Sequence, residues 1–280
     1  MRGVFLSLLI LIFLHQIGFA ISLDCNDPDI VFCMDMAEGQ GLTVLDRSKT
    51  GATGTLNGGP AWVNASAAWP NFDNPVTNPI LSTYTYTLSP PHFLQFTATL
   101  GEDVTTGNTS VGDFSGNKPG MIAVIWKQTT ETAGSNAGVF NWGDGATGGW
   151  RFETSGGGGY PNAAFFGITG VTTLAFHERA PGQGAPIPDR RPHSYGVWFD
   201  GSGVYLLFID GVLTGTFSRD DFVASAGSTQ FSFAKSIGGP TEWAGGVWGA
   251  RVWNKAVPRN QAESFFKAYH DSFFVQGTND

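Results

Sequence analysis

His193 to Gly215, HSYGVWFDGSGVYLLFIDGVLTG, decides the fold. It reads as three consecutive β-strands with their turns written between them. His193 to Asp200 is rich in aromatic and β-branched residues, which suit a pleated surface. Gly201-Ser202-Gly203 supplies a tight turn, because glycine tolerates positive φ. Val204 to Ile209 is the second strand. Asp210-Gly211 between apolar runs is a strong type I′ hairpin signal. Val212 to Phe217 returns as the third. Such a meander requires an antiparallel sheet.

Outward from this stretch the pattern repeats. Gly (39) and aromatic residues (14%) are abundant and charge is sparse (14%), while helix-period apolar stripes are nearly absent. Short strands separated by Gly, Asn, Asp and Pro indicate an all-β sandwich or barrel. Expected strands include Ile30 to Met36, His92 to Thr99, Met121 to Gln128, Val139 to Trp142, Trp150 to Thr154, Gln230 to Ile237 and Gly246 to Asn254. Residues 64–92 and 101–119 read as long polar loops. Pro258 to Tyr269 is the one convincing helix. Pro sits near its first turn, and Ala262, Phe265, Phe266 and Tyr269 recur at helical spacing. It is expected to pack on the edge of the sandwich.

The start, MRGVFLSLLILIFLHQIGFA, has a basic Arg2, a short apolar run and small residues at Gly18 and Ala20. This is the pattern of a secretory signal peptide cleaved after Ala20. The run is shorter than the roughly 20 residues that span a bilayer. The expected organisation is a signal peptide over 1–20 and a single β-sandwich domain over 21–280, secreted and not inserted in a membrane. Cys25 and Cys33 are the two cysteines. In an oxidising compartment they pair. The closed loop is short, so the chain-entropy gain is about 2.5 kcal/mol. Net charge is −8, with scattered acids and no basic patch, so nucleic acid is excluded as a partner.

The order of these pieces resembles the laminin-G-like, concanavalin A-like lectin/glucanase family of jelly rolls. The residues that carry the resemblance span most of 30–270. They are Asp46 and Ser48 after the first strand, Trp126 and Lys127 ending MIAVIWKQ, and Phe208, Asp210 and Gly211 in the hairpin. The closing match runs from Ile237-Gly238-Gly239 through Trp243, Gly245, Val247, Arg251, Val252, Trp253 and Asn254. Trp248 and Gly249 stand where the family places acidic residues. The resemblance implies two antiparallel sheets packed face to face, the concave one presenting a ligand, and Ca²⁺ held on loop oxygens.

A glucanase needs two carboxylates about 5–9 Å apart. On a strand they would stand two residues apart on one face. No glutamate of this chain has such a neighbour. Glu153, in WRFET, is the one well inside an expected strand, so a catalytic pair would have to come from distant strands. Sugars stack on aromatic rings. Trp142, Trp150, Tyr160 and Trp243 lie in or beside Gly-rich loops, whereas Trp126, Trp198 and Trp253 sit mid-strand and read as core. Trp142, Asp144, Tyr160 and Trp243 are therefore the candidate ligand-binding residues, with packing over a sheet end as the competing reading. Asn141 and Asp144 are the candidate Ca²⁺ ligands, against a glycine turn in which Asp144 bonds its own backbone. Asp46 and Asp73 are weaker candidates. Asn64-Ala65-Ser66 and Asn108-Thr109-Ser110 are N-glycosylation sequons. The functional expectation is a non-catalytic module binding a glycan or glycoprotein. The alternatives are a glycoside hydrolase and a self-assembling coat protein.

Overall fold

The computed structural model describes residues 21–64, 86–97, 101–107, 109–114, 118–128, 137–143, 149–155, 163–168, 172–175, 178–180, 183–184, 192–218, 230–235 and 243–276. The expected signal peptide, Asp73, Asn108, Asp144 and Tyr160 lie outside the described residues. In chain order the strands begin with β1 (Ile30–Met34), β2 (Thr43–Val44), β3 (Gly54–Asn57), β4 (Ala61–Asn64), β5 (Tyr86–Leu88), β6 (His92–Thr97) and β7 (Asp103–Thr106). They continue with β8 (Gly120–Gln128), β9 (Ala137–Gly143), β10 (Gly149–Ser155), β11 (Ala163–Ile168), β12 (Thr172–Ala175), β13 (Glu178–Ala180) and β14 (Gln183–Gly184). Then come β15 (His193–Phe199), β16 (Val204–Ile209), β17 (Val212–Ser218), β18 (Phe231–Phe233), β19 (Ala244–Trp253), helix α1 (Ala262–Phe273) and β20 (Phe274–Gln276). No described helix is long and apolar enough to cross a membrane.

Two large antiparallel sheets form the sandwich. Sheet A runs β17-β16-β15-β8-β19-β6-β4, with β1 also on β19, and sheet B runs β12-β11-β10-β9-β18-β7-β3-β2. The meander that opened the sequence reading is the β15-β16-β17 end of sheet A. Its Asp210-Gly211 turn has φ of 52° and 76°, the doubly positive pair that a type I′ hairpin needs.

Sheet A is apolar on both faces. Along β8, Ile122, Val124 and Trp126 face the core between the sheets, while Met121, Ala123 and Ile125 belong to a second cluster outside it. Tyr195 and Val197 alternate with Trp198, and Tyr205 and Leu207 with Leu206 and Phe208, in the same way. Alternate side chains leave a strand on opposite faces, so a continuous apolar run means that both faces are covered. The outer cover is α1. A 3-10 turn at Arg259–Gln261 precedes it, and it buries Phe265, Phe266, Tyr269 and Phe273. These join Trp198, Phe208, Trp248 and Trp253 in the outer cluster. The helix therefore lies on the face of sheet A and not on an edge, which corrects the sequence expectation. Its stripe needed an apolar surface, and the outward half of β8, β15 and β16 provides one.

Asp46 and Ser48, the pair in the resemblance, have a structural role. The Asp46 carboxylate accepts hydrogen bonds from the Cys33, Ser48 and Ala52 N–H groups at 2.9–3.0 Å. A carboxylate this occupied ties β1 to the following loop. Cys25 and Cys33 form the expected disulfide, which clips the N-terminal arm to β1.

Candidate functional site

The described rings of the aromatic site expected from the sequence are buried. Trp142 and Trp243 are each 1% exposed, as is Trp150. Trp142 stands opposite Trp150 on one side and Phe231 on the other, and its Nε1 donates to the Thr109 carbonyl at 3.0 Å. The glycines beside these rings have a packing reason. A Cβ on Gly112 would lie 2.3 Å from the Trp142 ring, and one on Gly245 would lie 2.2 Å from that of Trp243. Glycine here makes room for a buried indole, not for a ligand. Trp62 and Phe217 lie above the buried range, and both pack partly against the core.

Asn141 is fully buried. Its Nδ2 donates to the Lys235 carbonyl at 2.7 Å, and a Cβ on Gly138 would sit 2.4 Å from that same carbonyl. Asn141 thus pins the chain after β18 through Nδ2, while its buried Oδ1 has no hydrogen-bond partner among the described residues. No described group of three His, Cys, Asp or Glu could hold a metal. Asn64 is exposed at the end of β4.

What the sheet register does bring together is a polar row. Arg151 pairs with Asn141, Asn141 with Ser232, Ser232 with Thr105, Thr105 with Thr55, and Thr55 with Thr43. The row crosses six strands on the outer face of sheet B. Their neighbours on the inner face are Phe152, Phe140, Phe233, Val104 and Leu56, all core residues. Thr43 and Thr55 are exposed, Thr105 and Arg151 half-buried, and Ser232 and Asn141 buried. Beside the open end, exposed Asn57 donates through Nδ2 to Asp103 at 2.6 Å and to Thr105 Oγ1 at 3.1 Å. At the other end Arg151 Nε donates to Glu153 at 2.6 Å. Glu153 is 1% exposed, so Arg151 compensates a charge that water solvates poorly.

Sequence reasoning missed these threonines because it followed aromatic rings. The available signal was the alternation Thr43-Val44, Thr55-Leu56 and Val104-Thr105, polar outward and apolar inward. Which strands lie side by side is not written locally.

Glu153 and Asp103 are carboxylates on this face, three strand spacings apart. At about 4.8 Å per spacing that is about 14 Å, well beyond the separation of a glycosidase pair. Each is already engaged, Glu153 by Arg151 and Asp103 by Asn57.

A second polar cluster joins sheet A to α1. Asp210 accepts from the Ser194 N–H at 3.0 Å and lies 2.6 Å from His193 Nδ1. His270 Nδ1 is 3.4 Å from Asp210 and 3.1 Å from Ser194 Oγ. Because Ser194 and Asp210 meet the same nitrogen of His270, this is not a nucleophile–base–acid relay. Burial pushes the His270 pKa down, and Asp210 and Asp271 oppose it only in part. Burial would raise the Asp210 carboxyl, but His193, His270 and the Ser194 N–H hold it below its usual value. In the unfolded chain His270 therefore takes up its proton at higher pH than in the fold. Its contribution is fully present above pH about 6.5 and is lost as pH falls through the folded value. The Asp210 contribution is lost only at still lower pH, below about 4. Melting temperature should drop between pH 7 and 5, and His270→Gln should flatten that part of the profile. An unchanged profile in the variant would remove His270 as the cause.

No protein-family model matches this chain, and no curated protein matches it. Solved structures do. The binding domain of Paraclostridial Mosquitocidal Protein 1 superposes with a TM-score of 0.62 at 10% identity, over 86% of this chain and 52% of that one. The binding domain of botulinum neurotoxin serotype G gives 0.57 at 10% identity, over 86% and 51%. A structure of botulinum neurotoxin type C, which interacts with two ganglioside molecules, gives 0.57 at 11% identity, again over 86% and 51%. At this identity the likeness shows the fold alone, a two-sheet β-sandwich. The chain spans about half the length of these neighbours.

Proposed function

We propose that this chain is a secreted, non-catalytic module of the laminin-G-like, concanavalin A-like kind that binds a glycan or glycoprotein on the outer face of sheet B. The observation that carries this reading is the polar row from Thr43 to Arg151. Of the four sheet faces, the two inner ones form the core and the outer face of sheet A is covered by α1. The remaining face offers the exposed or half-buried hydroxyls of Thr43, Thr55 and Thr105 and the Arg151 guanidinium, with exposed Asn57 beside them, groups that exchange hydrogen bonds with sugar hydroxyls. The separation of Glu153 from Asp103 speaks against glycan cleavage on this face. The structural neighbours, binding domains of toxins, support the same class of function.

The accessible groups lie in a flat sheet, so a single site should bind weakly, with Kd on the order of millimolar to micromolar. Asp144 and Tyr160 remain part of the proposal as contacts from outside the described residues. Ca²⁺ at Asp144 remains part of the proposal, with Asn141 Oδ1, which has no hydrogen-bond partner among the described residues, as a second oxygen ligand. The reading includes removal of residues 1–20 and a mature chain from Ile21. A glycan array run with and without calcium tests it. Thr55→Val with Thr105→Val should weaken binding at least tenfold and leave the melting temperature nearly unchanged, because neither side chain is in the core. Binding equal to the unaltered protein would sink the assignment of this face, and an array without any bound glycan would sink the function.

A further inference from the structure

Arg251 occupies an unusual place. It lies on β19 between Cys33 of β1 and Ala123 of β8, and both neighbours belong to the outer cluster under α1. The strand parity therefore sends the Arg251 side chain toward the helix. Its Cζ is 5.4 Å from the centre of the Tyr269 ring and 5.3 Å from that of Phe273. Two rings thus face the guanidinium and offset part of its lost hydration.

Rings do not satisfy N–H groups. Arg251 Nε and Nη1 are buried and have no hydrogen-bond partner. The Tyr269 hydroxyl, on a residue that is 0% exposed, has none either. The carboxylates that act on Arg251 electrostatically are Asp35 and Asp24; Asp24 has other partners, whereas Asp35 Oδ1 is ion-paired with Arg47 but buried without a hydrogen bond. Asp35 Oδ1 lies 3.4 Å from Arg47 Nε. Asp24, exposed, accepts from the Asn26 N–H and Nδ2 at 3.0 and 2.9 Å. No described carboxylate forms an ion pair with Arg251. Burial is the largest influence on its guanidinium and pulls its pKa down, a sign of how poorly the charge is solvated. The residue as a whole is half-buried, but an unsatisfied buried donor such as Nε or Nη1 calls for a partner.

We propose that Arg251 and Tyr269 form a binding site for a small monovalent inorganic anion, of the size of chloride, between α1 and the outer face of sheet A. Arginine has donors and no acceptor, so two of the orphaned groups accept only a hydrogen-bond acceptor as ligand. The positive charge selects an anion over a neutral one. Asp35 and Asp24 lie close enough to weaken the site, so affinity should be in the millimolar range. The ion would join β19 to α1 and stabilise the seating of the helix, since whatever binds the folded state alone stabilises it.

The experiment uses the whole secreted chain and sodium bromide as probe. Crystals soaked in bromide should show an anomalous peak within hydrogen-bond distance of Arg251 Nε or Nη1. In solution, exchanging gluconate for chloride at constant ionic strength should raise the melting temperature by a few degrees. Tyr269→Phe keeps the ring over the guanidinium and removes only the hydroxyl, so it should weaken the chloride response about tenfold. An ordered water at that position with no bromide would overturn the proposal. So would a melting temperature indifferent to chloride, or a full chloride response in Tyr269→Phe.

Discussion

Trp142→Ala and Trp243→Ala should each lower stability by about 3–5 kcal/mol, the cost of emptying a buried indole site. For a domain of this size that moves the melting temperature by about 10 °C. Both rings are 1% exposed within the core between the sheets. Trp142 also donates a hydrogen bond to Thr109 and lies against Gly112. Its loss would leave the Thr109 carbonyl without that donor and open a cavity beside Trp150 and Phe231. Trp243 packs against Gly245 and near Phe96, with ring centres 6.0 Å apart. A ring standing free on a loop would cost less than about 0.5 kcal/mol to remove, so urea or thermal midpoints separate the two placements. Little change in either variant would return these residues to the surface. Measured on the fraction still folded, glycan binding should be unaffected, because the polar row belongs to the opposite face of sheet B.

The part of this molecule that was legible in the sequence is the part with local determinants. Asp210-Gly211 specifies its own turn whatever surrounds it, so the β15-β16-β17 meander follows from neighbouring residues. The Cys25–Cys33 bridge is likewise local. Trp142 and Trp243 were ambiguous because glycine next to an indole has two physical readings, close approach of a ligand or close packing of the ring. Distinguishing them needs the other sheet. The polar row needs even more. Ser232 reaches Asn141 and Thr105 only because β18 sits between β9 and β7, strands drawn from distant parts of the chain. The position of α1 was half-written. MIAVIW and YLLFI lack the polar alternation of a sheet with one wet face, which already says that something covers the outer side of sheet A. The periodic stripe Phe265, Phe266, Tyr269 is the complementary half of the same statement.

Gly196 makes the contact between those halves measurable. It sits in β15 between Ala123 and Phe208, and a Cβ there would lie 2.3 Å from the Phe266 ring. Phe266 cannot easily yield, since it is 1% exposed and stacked on Phe208 at 4.5 Å. In the hairpin turn itself, a Cβ on Gly211 would lie 2.4 Å from the Lys267 Cα, so the helix backbone itself is close. In an open strand, Gly→Ala normally stabilises by about 0.5–1 kcal/mol through the unfolded chain. Here Gly196→Ala should instead destabilise by about 1–3 kcal/mol, and Gly196→Leu should lift α1 and expose residues 255–276 to protease. Phe266→Ala alone empties a buried ring site and should cost about 3–5 kcal/mol. Combined with Gly196→Ala it should cost less than the sum, because the first change makes room for the second. A neutral or stabilising Gly196→Ala, or strict additivity in the double variant, would mean that α1 does not press on sheet A. The same helix carries Tyr269, so a lifted α1 should also lose its response to chloride, linking the seating of the helix to the anion site beneath it.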